Sequence, residues 1–150
     1  MVLYNDVVKR FSLPSWDDLD KFFDLDGIKD DEKSLREARK SVSERVHFVV
    51  TILEHILMPD PNSYVELYEC RCVEDGDKDR LLDVFKKFMI LDRKLLIGSL
   101  SSSDDIDASL VREGFSVYKE QISSVLKYLV KVQKSWSDIS DIKEVLGYLG

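Results

Sequence analysis

Asp92 lies in the run "FMILDRKLL", and at about 100° per residue it falls within the arc of Leu81, Leu82, Phe85, Phe88, Met89, Leu95 and Leu96. An ionised carboxylate on an apolar face needs a partner or is driven toward its protonated form, because burial disfavours the charge. Three readings compete. The helix breaks at 91 and Asp92 caps a second segment; the acid pairs with an arginine or a tyrosine hydroxyl in the core; or the face lines a cleft where a carboxylate does chemistry. The cap and the structural pair rank ahead of the cleft, since structural ion pairs hold buried acids too.

Two other acidic stretches invite a calcium reading and fail it by counting. A twelve-residue calcium loop needs oxygen ligands at its first, third and fifth positions, glycine at the sixth and glutamate at the twelfth. In "FFDLDGIKDDEK", placing Gly27 sixth puts Phe22 first and Lys33 last. In "EDGDKDR", starting at Asp75 puts Arg80 sixth and Lys86 twelfth. Asp30, Asp31 and Glu32 instead suit the start of a helix, where acid faces the positive end of the dipole. "EDGDKDR" reads as a solvated turn and helix cap.

His47 and His55 are the only histidines. Eight residues apart on one helix, they stand roughly 12 Å from each other and cannot chelate one ion together. Glu44 lies one turn from His47, but one histidine and one carboxylate make an incomplete site. The pattern of helical ribonucleases built on an arginine, four to six spacers and a histidine is not met either, because Arg39 to His47 leaves seven between and Arg45 to His55 leaves nine. Cys70 and Cys72 form one C-x-C pair, half of a structural zinc set, and read as free thiols. No serine or cysteine nucleophile stands beside a histidine in a recognisable arrangement, and the six scattered glycines form no phosphate loop. The sequence therefore names no catalytic residue, no metal ligand and no cofactor.

Two groups of residues suit binding. Basic side chains gather at Arg36, Arg39 and Lys40 and again at Lys127, Lys131 and Lys134, both interleaved with acid. They form a nucleic-acid face only if the fold sets them side by side; otherwise they are solvated helix faces laced with ion pairs. Trp16, Phe22, Phe23, Tyr64, Tyr68 and Trp136 concentrate toward the short elements. They either supply an apolar contact patch for a partner or close the ends of a bundle.

The elements that must position these residues are helical. Proline falls only at 14, 59 and 61, and most segments repeat apolar residues at three and four. A short helix over about 3–11 ends before "SLPSW", where Ser15 and Asp18 make a capping pair for a second helix that Gly27 can end. A third helix over about 31–58 carries Leu35, Ala38, Val42, Val46, Val49, Leu53 and Ile56, and "MPDPNS" stops it. The piece over 63–73 suits a strand by its tyrosines and a helix by Ser63 with Glu66; helix is preferred, because a lone strand has no partner. Further helices are expected over about 79–97, 104–135 and 138–149, and Gly114 is a place for a bend in the second of these.

At 150 residues, with 44% hydrophobic and 34% charged side chains, the chain suits one domain with one core. Its net charge of −7 works against broad attraction to phosphate backbones or anionic lipid. No apolar run approaches the roughly 20 residues of a membrane span, and "MVLYNDVVKR" has acid where a secretory leader would be basic. Cytoplasmic residence follows as the expectation. The predicted architecture is all-α, a bundle of six or seven helices with three long ones central. The predicted function is a non-catalytic protein-interaction module, a small accessory or regulatory subunit of a cytosolic complex with a protein partner. The alternative is an accessory subunit of a nucleic-acid-processing complex using a basic helix face, and the third is a small enzyme working through carboxylates around Asp92.

Overall fold

Three long helices, α3 (Ser34–Leu57), α5 (Asp75–Leu100) and α6 (Asp104–Asp138), form the centre of the molecule. Three shorter ones, α1 (Tyr4–Phe11), α2 (Trp16–Phe23) and α4 (Tyr64–Arg71), pack around them. The computed structural model describes residues 4–25, 33–101, 103–140 and 142–143, and among these there is no strand. Most of the helix expected over 138–149, with Gly27, Asp30, Asp31 and Glu32, lies outside the described residues.

Hydroxyl caps start three of the helices. Ser15 accepts from the Asp18 amide, Ser63 from the Glu66 amide and Ser103 from the Ile106 amide, each supplying an acceptor to an otherwise orphan N–H. Glu66 also reaches back to accept from the Asp60 amide, which fixes the entry to α4 after the two prolines and settles 64–71 as helix. Helix α2 ends on Asp24, at φ 47°, a left-handed conformation that aspartate tolerates better than most residues.

Side-chain pairs give the directions. Arg39 meets Asp107, and Val42 lies against Gly114, so α3 and α6 run parallel. Lys94 meets Glu113, while Asp77 meets Lys131, so α5 runs opposite to α6. The core between the three is made of Val42, Val46, Leu53, Phe88, Leu95, Val111 and Val125, none more than 1% exposed. Helices α1 and α2 cover the end that holds the starts of α3 and α6. There Tyr4 donates to the Pro14 carbonyl, and Phe22 stacks against Phe115 and Tyr118. Helix α4 covers the other end, packed against α3 and hydrogen-bonded to the last turns of α6.

Two of the three glycines in α5 and α6 are contact points. A Cβ on Gly114 would come 2.4 Å from Val42 Cγ1, and one on Gly98 would come 2.2 Å from Leu110 Cδ1. Helix α6 is therefore continuous where a bend at Gly114 was expected: the missing side chain lets α3 approach. The same logic carries α5 past 97 to Leu100. At its other end α5 begins at Asp75 rather than 79, with Glu74 as its first non-helical neighbour, so most of "EDGDKDR" is helix.

Candidate functional site

Asp92 is the buried acid that the helical arc anticipates, 5% exposed in the middle of an unbroken α5. The unbroken helix removes the capping reading. One carboxylate oxygen lies 3.1 Å from His47 Nδ1 on α3, and the other accepts from Arg93 at 2.6 Å. His47 is 67% exposed, so the pair spans the boundary between core and solvent. With Ser43, Glu44, Leu96 and Ser99 it lines a shallow cleft of about 310 Å³. An aspartate that holds Nδ1 orients an imidazole for proton transfer at its other nitrogen. Among the described residues, however, no hydroxyl or thiol is hydrogen-bonded to that ring, and no three His, Cys, Asp or Glu side chains converge on a point fit for a metal ion.

The two basic groups are not one surface. Arg39 is 6% exposed and its Nε lies 2.7 Å from Asp107 Oδ1, a buried ion pair whose alignment falls short of a good hydrogen bond. It is an internal tie between α3 and α6, not part of a nucleic-acid face. Arg36 and Lys40 are exposed beside it, but Lys127 lies 20 residues beyond Asp107 on α6, roughly 30 Å along the axis. The α3 and α6 cations thus occupy opposite ends of the bundle. What the fold adds to Lys127, Lys131 and Lys134 is Arg80, brought across by α5, with a cavity of about 310 Å³ between the helices.

The six aromatic candidates divide in the same way. Trp16 and Phe23 are buried, and Phe22 is half-buried among Phe115 and Tyr118, so these three rings close the α1–α2 end. Tyr68 and Trp136 stack with ring centroids 4.4 Å apart at the other end. Trp136 Nε1 donates to Glu69 at 3.0 Å, and the Tyr68 hydroxyl pairs with Ser135. Of the six, Tyr64 alone is largely exposed, at 47%. Of the two readings offered for these rings, five of the six fit the closing of the bundle ends, because the short helices use them to seat themselves on the long ones.

Exposed apolar surface lies on α5, where Leu82 and Leu96 were expected in the core. Leu96 is 53%, Ile97 65% and Leu100 84% exposed, and Ile90 and Leu82 emerge further back on the outer face of α5. Ile97 borders an open groove of about 500 Å³ against the start of α6, with Gly98, Ile106 and Leu110. Asp105 and Glu113 lie at the rim, and Lys94 is 2.7 Å from Glu113. One signal pointed to it: "FMILDRKLLIGSL" is apolar on nearly every side, which a helix in a small bundle cannot bury completely.

Comparison of the chain with protein-family models, with curated proteins and with solved structures finds no match in any of the three.

Proposed function

We propose that the protein is a non-catalytic interaction module, a small accessory or regulatory subunit of a cytosolic assembly, that receives one helix of a partner protein along the outer face of α5. The observation that carries this reading is the run of Leu96, Ile97 and Leu100 at 53%, 65% and 84% exposure, with Ile97 bordering the groove and Leu96 the cleft at His47 and Asp92. Contiguous apolar surface of this kind is costly to leave in water and marks contact sites in soluble proteins. A helix presenting apolar residues at three and four would set them against the same spacing on α5.

Charge selects the occupant. The last turn of α5 has no basic residue to balance its carbonyl ends, Asp105 stands at the groove, and Lys94 is already engaged by Glu113. The net charge of −7 sets two copies against each other, so the complementary partner is an amphipathic helix with basic flanks on another chain. No helix among the described residues is long and apolar enough to cross a membrane.

A photo-crosslinking side chain placed at Leu100 tests the reading in native extract, with one at Arg36 as the control. The expected result is a discrete protein adduct from position 100, mapping to a basic amphipathic helix and lost in Ile97→Asp. Both positions are exposed, so circular dichroism and the thermal midpoint should stay close to those of the parent. An adduct indifferent to Ile97→Asp, or none, would overturn the reading. Concentration-dependent dimers that Ile97→Asp abolishes would replace the partner helix by a second copy.

A further inference from the structure

Lys127, Lys131 and Lys134 share one face of α6, and the antiparallel α5 sets Arg80 opposite them. The cavity between is floored by Leu81 and Tyr128, 3% and 5% exposed, and edged by Val130. Lysine stems extend such a floor while their ammonium groups stay at the rim. In a chain with a net charge of −7, four cations therefore line one apolar cavity, with Asp77 as the single carboxylate.

The four cations are not equivalent. Lys131 lies 3.3 Å from Glu74 and 3.5 Å from Asp77, contacts that hold it protonated and fix it at the base of α5. Arg80, Lys127 and Lys134 make no ion pair among the described residues. They are three positive charges without a counter-charge above an apolar floor.

We propose that this cavity binds a small amphiphilic anion, with its apolar body on Leu81, Tyr128 and Val130 and its carboxylate or phosphate head among Arg80, Lys127 and Lys134. The size fits, since pockets for small ligands begin near about 300 Å³. A bare inorganic anion is a poorer match, because the floor offers it nothing for its lost hydration. A nucleic-acid strand is poorer too. Such a strand meets Asp77 at the cavity and Glu74 beside it, and Arg36 and Lys40 of the other basic group lie at the far end of the bundle. The site is independent of the α5 face assigned to a partner helix.

Titration of the full chain with octanoate, octyl phosphate, octan-1-ol and inorganic phosphate, followed by amide chemical shifts, tests the proposal. Octanoate or octyl phosphate should shift amides within 77–81 and 124–134 and bind about tenfold tighter than octanol or inorganic phosphate. Whichever of the two binds more tightly identifies the head group. The double variant Lys127→Gln/Lys134→Gln should weaken binding about tenfold, and Val130→Asp should abolish it. All three positions are exposed, so neither variant should unfold the chain, and the amide spectrum verifies this. Equal binding of octanol would show an apolar cleft without charge selection, and equal binding of inorganic phosphate or a short oligonucleotide would show a plain cationic surface. Either result, or shifts confined to the groove at Ile97 and Ile106, would overturn the proposal.

Discussion

Two buried aspartates of this protein differ in the partners they keep. Asp107 faces Arg39 with both side chains under a tenth exposed, whereas Asp92 faces His47 and Arg93, which are 67% and 58% exposed. Removing Arg39 takes the cation away from a buried carboxylate, so Arg39→Ala should cost about 3–5 kcal/mol in denaturant unfolding. Replacing both, as Arg39→Met with Asp107→Leu, should recover most of that. Asp92 borders solvent, and Asp92→Ala should cost only about 1–3 kcal/mol, the range for a lost buried hydrogen-bonding group. Equal losses at Asp92 and Arg39 would show that the two acids are buried alike in energy as well as in area. Asp92 was legible as a buried acid from helical angle alone, because position on a helix is a local property. Its partner His47 was not, since the pairing of α3 with α5 is set by long-range packing.

At the level of elements, helix identity was written in the three-and-four repeats and the serine caps, including the ambiguous "SYVELYECR". The ends were less legible. Helix α5 extends several residues beyond its expected bounds on both sides because Gly76 and Gly98, which resemble breaks, are accommodated in place. Gly98 and Gly114 are positions where backbone comes close to another helix, and intrinsic propensity misjudges them. Alanine should gain about 1 kcal/mol in an isolated helix at either site. Here Gly114→Ala should instead destabilise by about 1–2 kcal/mol, because the new methyl meets Val42, whose branched side chain has one favoured rotamer. Gly98→Ala should come out near neutral, since its one close contact is the terminal methyl of Leu110, with Ile106 Cγ2 at 3.4 Å. Combining Gly114→Ala with Val42→Ala should recover stability relative to the sum of the singles, and an additive cycle would exclude the contact as the cause. The basic cavity was half legible for a related reason: Lys127, Lys131 and Lys134 share a local repeat, but Arg80 joins them only through the antiparallel packing of α5.

For the molecule as a whole, the ends of the bundle depend on tyrosines. Tyr4 donates to the Pro14 carbonyl, and Tyr128 donates to the Glu69 carbonyl; burial pushes both hydroxyls above their ordinary value of 10.0. Glu69 and the neighbouring thiols push Tyr128 the same way. Above the ordinary value the unfolded chain sheds these protons and the folded chain keeps them. Stability is therefore full below about pH 10 and falls as pH rises beyond it. Stability measured against pH should show this loss, with tyrosinate absorbance for these two rings arriving together with unfolding, and Tyr128→Phe should make the fall shallower. Tyrosinate forming in the native protein at the ordinary value would contradict the burial of both rings. The contact of Tyr128 has one more consequence. Helix α4 fully buries none of its own residues; it packs against α3 and is tied to α6 through Tyr68, Glu69 and their partners. Such a mooring releases at a lower free-energy cost than the three long helices part. Cys70 and Cys72 ride on it as half-buried thiols, so their reaction with a reagent becomes a clock for how often that end of the molecule comes loose.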